Sequence, residues 1–328
     1  MKAVSRIGVL VLGIALFGFA LERIGPGRVR GELEAMSSAI VMIFTRSLMR
    51  LYLQTQSWSL ALQQDGIQSS RIELMFLRLA SQGIGYLTVL GPAASEPIKI
   101  KLLQHHQRST HHRSPTAATL VDTGVYWLSA GLVLIAGSIT AMFAVAHNRG
   151  ASMLLATLVA AGLYSLVRPE AILAPLVSRL GKRVPGWLMK AAHIEGEIHR
   201  LAETHPDAIR RMFLLSLACQ ALLLGEVAIG LFSLHLPLRA GAVLSIEAAG
   251  RAVRMLGGWM PARIGADEGG AVAAFVALGL PAAGGLALAL ARRLRDVMFS
   301  LAGLVWLAFR THTGEDAPTW RGAIECKL

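Results

Sequence analysis

Gly257-Gly258-Trp259-Met260-Pro261-Ala262-Arg263-Ile264-Gly265-Ala266-Asp267-Glu268-Gly269-Gly270 opens the stretch that decides how this chain reads. An apolar run follows to Gly279-Leu280-Pro281, and then a long apolar segment to Phe309 that carries Arg292, Arg293, Arg295 and Asp296 near its middle. Charge sits where a lipid-embedded segment should have none. Ionisable groups at membrane depth are costly, so they face a cavity, pair with one another, and mark a substrate path. This stretch is the leading candidate for the functional centre.

Composition supplies the membrane frame. The 328 residues are 54% hydrophobic and 16% charged, with a mean hydropathy of +0.54, too apolar for a soluble domain of this length. The 32 Lys and Arg exceed the 20 Asp and Glu, giving a net charge of +12. In such a chain excess cation belongs to cytoplasmic loops beside anionic lipid, not to a nucleic-acid interface. Cys219 and Cys326 form neither a metal spacing nor a disulfide framework, and no cofactor or metal is expected.

Outward from the centre, Ile7 to Leu21 is uncharged and reads as a first span, with a cleaved signal peptide as the alternative. A second helix is expected from about Leu33 to Leu53, with Arg46 and Arg50 near its end. Apolar Ile72 to Val89 leads into Leu90-Gly91-Pro92-Ala93-Ala94-Ser95-Glu96-Pro97, where a helix should break. The basic segment after it, holding Lys99, Lys101, Arg108 and Arg113 among His105, His106, His111 and His112, reads as a solvated loop rather than a metal site. Gly124 to Ala146 is an uncharged run of 23 residues, enough at about 1.5 Å per residue to cross a core of about 30 Å. Gly150 to Val167 is another uncharged run, Trp187 to Leu201 has the periodicity of a helix at the membrane surface, and Met212 to about Leu236 is a span with Glu226 near its centre.

Glu96 and Glu268 are 172 residues apart, and so are Ala130-Gly131-Leu132-Val133 and Ala302-Gly303-Leu304-Val305. Each match falls on the same succession of broken helix, glutamate, turn and long helix, which indicates a duplication. The predicted fold is therefore an all-α polytopic membrane protein of about six full transmembrane helices plus two re-entrant broken-helix hairpins, arranged as an inverted internal repeat. The alternative is eight simple spans. A single domain is expected over residues 1–311, with halves of about 1–146 and 150–311 and a polar tail at 312–328. With both termini cytoplasmic, twenty basic residues fall inside and five outside, as the positive-inside bias demands.

Seven basic residues then lie within membrane segments: Arg78, Arg251, Arg254, Arg263, Arg292, Arg293 and Arg295. Irregular backbone such as Pro261 to Gly265 is tolerated at depth only where protein or a wet cavity satisfies its polar groups. Helix N-termini near Glu96 and Asp267 would favour an anion in that cavity, and arginine forks suit phosphate. The competing reading is that Arg263, Arg292, Arg293 and Arg295 only pair with Asp267, Glu268, Asp296 and Glu226 to lock the fold. Helical spacing puts Asp296 near Arg292 and Arg293 and turns Arg295 another way.

Gly91, Pro92 and Glu96, the second segment Pro261 to Glu268, Gly279 and the arginine-bearing helix together resemble the lysylphosphatidylglycerol synthase transmembrane region, a flippase-like membrane domain. The resemblance covers roughly Ile7 to Phe309. It implies a domain of the bacterial inner membrane that moves or handles polar lipids between leaflets. Matched residue by residue, Gly91, Pro92 and Glu96 fall on the first broken helix, Pro261, Gly265 and Glu268 on the second, and Arg293 on the helix after it. The sequence departs from the family at Val121-Asp122-Thr123, where an acidic–arginine pair is usual. The full synthases add a soluble transferase domain; only 19 residues follow Phe309, so lysyl transfer is not expected here.

Three functions compete. The first is a lipid transporter without covalent chemistry, whose substrate-binding residues are Glu96, Glu226, Arg263, Asp267, Glu268, Arg292, Arg293 and Arg295. Its partner is a membrane lipid with an anionic or phosphate headgroup, and lipid-synthesis enzymes are possible further partners. The second is a membrane enzyme acting on a lipid phosphate with Glu268 or Asp267 as base, although no hydrolase triad, zinc motif or phosphate loop supports it. The third is a scaffold, which a core with every arginine paired would favour.

Overall fold

The computed structural model describes residues 22, 25–87, 92–106, 115–144, 203–256 and 263–312. The expected span at Ile7 to Leu21, the breaks at Gly91 and Pro261, the histidine-bearing segment past 106, the run Gly150 to Val167, the surface helix Trp187 to Leu201 and the tail past 312 lie outside the described residues.

All regular structure among the described residues is helical. In chain order the helices are α1 (Pro26–Ala35), α2 (Ser37–Gln64), α3 (Arg71–Leu87), α4 (Pro92–His106), α5 (Thr116–Ala144), α6 (Pro206–Ser233), α7 (Ala240–Leu256), α8 (Ala266–Ala277) and α9 (Ala282–His312). The portion Thr116–Ala141 of α5 and all of α6 are long and apolar enough to cross a membrane, with mean hydropathies of 1.6 and 2.0. Helices α2 and α9, at 28 and 31 residues, have the same reach of about 1.5 Å per residue but carry charges. Helix α8 has 12 residues, about 18 Å, and is too short to span a core of about 30 Å.

The second helix differs from its sequence expectation. It runs to Gln64 rather than to about Leu53, so Arg46 and Arg50 fall in its middle and not at its end. Polar Ser57, Ser59 and Thr55 hid the continuation, because they are buried against other helices rather than solvated. The chain enters α1 through Gly25 at φ 91° and Pro26, whose fixed φ suits the first helical turn.

Packing is organised by α2 and α6, which lie antiparallel: Ser47 meets Glu226, and the Arg50 carbonyl meets Cys219. One core gathers Ile43 of α2 with Val227, Leu231, Val243, Phe275 and Leu288; the other gathers Trp58 of α2 with Leu74, Leu103, Val121 and Met212. Apolar side chains such as Val41, Met49, Leu132, Leu214, Val297 and Val305 point outward, while Glu226, Glu247 and Glu268 point in. That inversion of the soluble pattern is what a lipid surround requires.

Two helix crossings join early and late parts of the chain. Helix α3 runs antiparallel to α9, with Glu73 pairing to Arg310 at one end and Gly83 against Ser300 at the other. Helix α7 runs antiparallel to α5, with Gly137 against Ala248 and Thr140 against Gly241. Glycine lets the backbones approach closely, as small residues do in membrane bundles. A Cβ on Gly303 would overlap the Leu79 carbonyl carbon and lie 2.5 Å from the Ala80 nitrogen, so neither side can yield without moving a helix. Gly303→Ala should therefore destabilise the fold by about 1–3 kcal/mol, read as a lower unfolding temperature of the purified protein; an unchanged temperature would contradict the α3–α9 crossing.

Candidate functional site

The local chain path into α8 builds one edge of the site. Arg263 at φ 49° and Gly265 at φ 83° both take left-handed backbone, which glycine adopts freely and arginine does not. Those two turns aim the Arg263 carbonyl at α9, where Arg293 Nη2 donates to it at 3.3 Å. Glu268, in the first turn of α8, accepts the Gly265 N–H at 2.9 Å and pairs with Arg293 Nε at 2.6 Å. Arg263 turns to Asp267 at 3.1 Å and to Asp296 at 3.7 Å.

Arg292 and Arg295 of α9 reach deeper. Arg295 Nη1 donates to Glu226 of α6 at 2.5 Å and to Ser47 of α2 at 3.2 Å, and Ser47 in turn donates to Glu226 at 2.8 Å. Arg292 lies 3.5 Å from Glu226 and 3.0 Å from Glu247 of α7. Glu247 also holds Arg254 at 3.1 Å and Arg251 at 3.2 Å, and Arg251 donates to Gln220 at 2.6 Å. A single connected network thus links α2, α6, α7, α8 and α9.

Among the described residues its charge does not cancel: Arg251, Arg254, Arg263, Arg292, Arg293 and Arg295 face Glu226, Glu247, Asp267, Glu268 and Asp296, six cations to five carboxylates. Burial is graded as well. Glu226 and Glu247 have fully buried side chains, while those of Asp296 and Arg254 are 30% and 31% accessible. The network runs from fully buried carboxylates to half-buried members.

Asp296 corrects a sequence expectation. It pairs with its neighbour Arg295 at 2.9 Å and with Arg263, not with Arg292 or Arg293. Helical spacing made the latter pairs easy, but buried carboxylates on facing helices capture those two guanidiniums, where attraction is less screened.

Seven of the eight predicted residues are brought together in this network; Glu96 joins a different one. Lys99 Nζ lies 3.0 Å from Glu96 and 3.8 Å from Asp122, and Arg78 Nη2 lies 2.6 Å from Asp122. Ser57 donates to Asp122 at 2.7 Å, Thr123 to Glu96 at 3.0 Å, and the Lys99 ammonium stands 4.7 Å from the centre of the Trp58 ring. Two cations meet two carboxylates, so this cluster balances. Lys99 is 2% exposed and belongs to helix α4, which corrects its assignment to a solvated loop. Carboxylates at i−3 and across on α5, with an aromatic face, make that burial tolerable.

Sequence reasoning missed Glu247, which holds three arginines. Its signal was present: Glu247, Arg251 and Arg254 recur at helical spacing inside an otherwise apolar helix. Ser47 and Gln220 carried no such signal, since only their neighbours draw them into the network. Among the described residues no group of three or more His, Cys, Asp or Glu side chains is placed to hold a metal.

A family model described as the lysylphosphatidylglycerol synthase TM region matches residues 6–303. No curated protein and no solved structure matches the chain.

Proposed function

From the premise that the chain belongs to the lysylphosphatidylglycerol synthase transmembrane-region family, and is thereby a membrane protein associated with lipid, we propose that it moves a polar or anionic lipid between leaflets without covalent chemistry. The observation that carries this reading is the graded network, among the described residues, of six arginines and five carboxylates built from five helices. Guanidinium in an apolar surround attracts a phosphodiester, and graded burial lets a headgroup enter while its acyl chains stay in lipid.

The proposed architecture is six spans with two re-entrant hairpins in an inverted repeat, over a single domain of residues 1–311. Adding 172 to the limits of α2, α3, α4 and α5 gives 209–236, 243–259, 264–278 and 288–316, close to those of α6, α7, α8 and α9. The first two pairs also match in length, at 28 and 17 residues. Equivalent α2 and α6 lie antiparallel, and the α3–α9 and α7–α5 crossings are reciprocal, as an inverted repeat requires. The short α8, joined to α9 by the Gly279 turn, fits a hairpin that enters and leaves one face. The proposed location is the bacterial cytoplasmic membrane with both termini inside, on the distribution of basic residues.

A second reading, the static scaffold, is favoured by one fact: Arg263, Arg292, Arg293 and Arg295 are each already ion-paired. Vesicles reconstituted with the protein separate the two. Transport is expected to expose a labelled anionic phospholipid of the inner leaflet to an impermeant quencher faster than in protein-free vesicles; equal rates for anionic and zwitterionic lipids alike would leave the scaffold.

A further inference from the structure

Two cations in the same region lack a carboxylate to balance them. Arg46 and Arg50 stand one helical turn apart in the middle of α2, on the side turned to α6. Ser47, beside Arg46, donates to Glu226, and the Arg50 backbone carbonyl meets Cys219. Gly225 leaves the room that Arg46 occupies, since a Cβ there would overlap the Arg46 guanidinium. Neither arginine forms an ion pair among the described residues, and Arg50 Nε is buried with no hydrogen-bond partner. Glu226 and Asp296, on which Arg50 acts electrostatically without forming an ion pair, are ion-paired to Arg295, Arg292 and Arg263 instead.

An uncompensated guanidinium inside an apolar bundle is costly, and two in succession are costlier. A ligand that supplies negative charge removes the cost. Guanidinium offers a planar fork of donors that matches two oxygens of a phosphate, and two forks one turn apart can hold one phosphate from both sides.

We infer that Arg46 and Arg50 form a binding site for a phosphate-type anion, with Gly225 as its floor. The inference rests on the lipid-handling reading for its expected source, the phosphodiester of an anionic lipid headgroup. Soluble phosphate has the same chemistry and is the alternative source.

The test uses the full chain, purified from mixed phosphatidylglycerol and phosphatidylcholine and analysed by mass spectrometry for the lipid it retains. Wild type should retain phosphatidylglycerol in preference. The double variant Arg46→Gln, Arg50→Gln should lose that preference by at least about tenfold, and Arg46→Lys, Arg50→Lys should keep part of it, since the charge remains without the fork. Equal retention by the glutamine variant, or no preference in wild type, overturns the site. Displacement of phosphatidylglycerol by inorganic phosphate at matched concentration supports the site and assigns it to soluble phosphate; resistance assigns it to lipid. If the glutamine variant does not fold, Gly225→Ala reads the same site by pushing the Arg46 side chain away, and unchanged retention there overturns it. Selective retention without leaflet exchange in wild-type vesicles would remove the transport reading and leave this site standing. Leaflet exchange together with unaltered retention in the glutamine variant would do the reverse.

Discussion

Arg295→Ala is expected to destabilise the folded protein by about 3–5 kcal/mol, the range for removing one partner of a buried ion pair. Arg295 is 6% exposed and is the point where three helices meet, through Glu226, Ser47 and Asp296. Without it the remaining ion pair of Glu226 is Arg292 at 3.5 Å, beside the Ser47 hydroxyl, and that of Asp296 is Arg263 at 3.7 Å. A fully buried carboxylate is then left short of countercharge. The natural control is Arg30, whose pair with Glu34 is exposed on α1; Arg30→Ala should cost less than about 1 kcal/mol. Joint replacement by Arg295→Met and Glu226→Leu should recover part of the loss, because an apolar pair leaves no orphaned charge. Unfolding temperatures of the purified variants, compared in one lipid or detergent, check all three. A loss for Arg295→Ala no larger than for Arg30→Ala would contradict the buried network.

The class of the fold and most of the network were legible because a bilayer makes charge conspicuous. In apolar sequence every ionisable residue is an anomaly, so Glu226, Arg263, Asp267, Glu268, Arg292, Arg293 and Arg295 stood out one by one. The 172-residue interval between Glu96 and Glu268 is close to the offset between the limits of α2 and α6, 169 residues at each end. Partners were less legible than members. Periodicity along α9 says which residues share a face, but whether Arg292 turns to Asp296 or to Glu247 depends on what a distant helix presents. The sequence also misled where polarity imitates solvent exposure. Lys99 sits among histidines and lysines that read as a loop, and its cover of Asp122, Glu96 and Trp58 comes from three different helices. Arg46 and Arg50 were likewise placed at a helix end, because the serines and threonine that continue α2 are indistinguishable from a solvated turn until their burial is known.

The second large effect concerns transport. Of Arg292, Arg293 and Arg295, Arg293 is the least buried, with a side chain 21% accessible, and it ties α9 to the entry of α8 through Glu268 and the Arg263 carbonyl. On the proposed reading it meets the headgroup, and it sits on α9, which the Gly279 turn joins to the short α8. Glu268→Gln keeps an oxygen to accept the Gly265 N–H but removes the charge that holds Arg293. Both Arg293→Ala and Glu268→Gln should abolish lipid movement while membrane insertion and yield persist.

The most direct test of a cationic hollow that carries lipid is the rate at which an impermeant quencher reaches labelled anionic phospholipid in vesicles holding equal amounts of wild-type or Arg293→Ala protein. The expected result is rapid exposure with wild type and a fall to the protein-free rate with the variant, both proteins being inserted to the same extent. Equal rates for the two proteins would contradict the account.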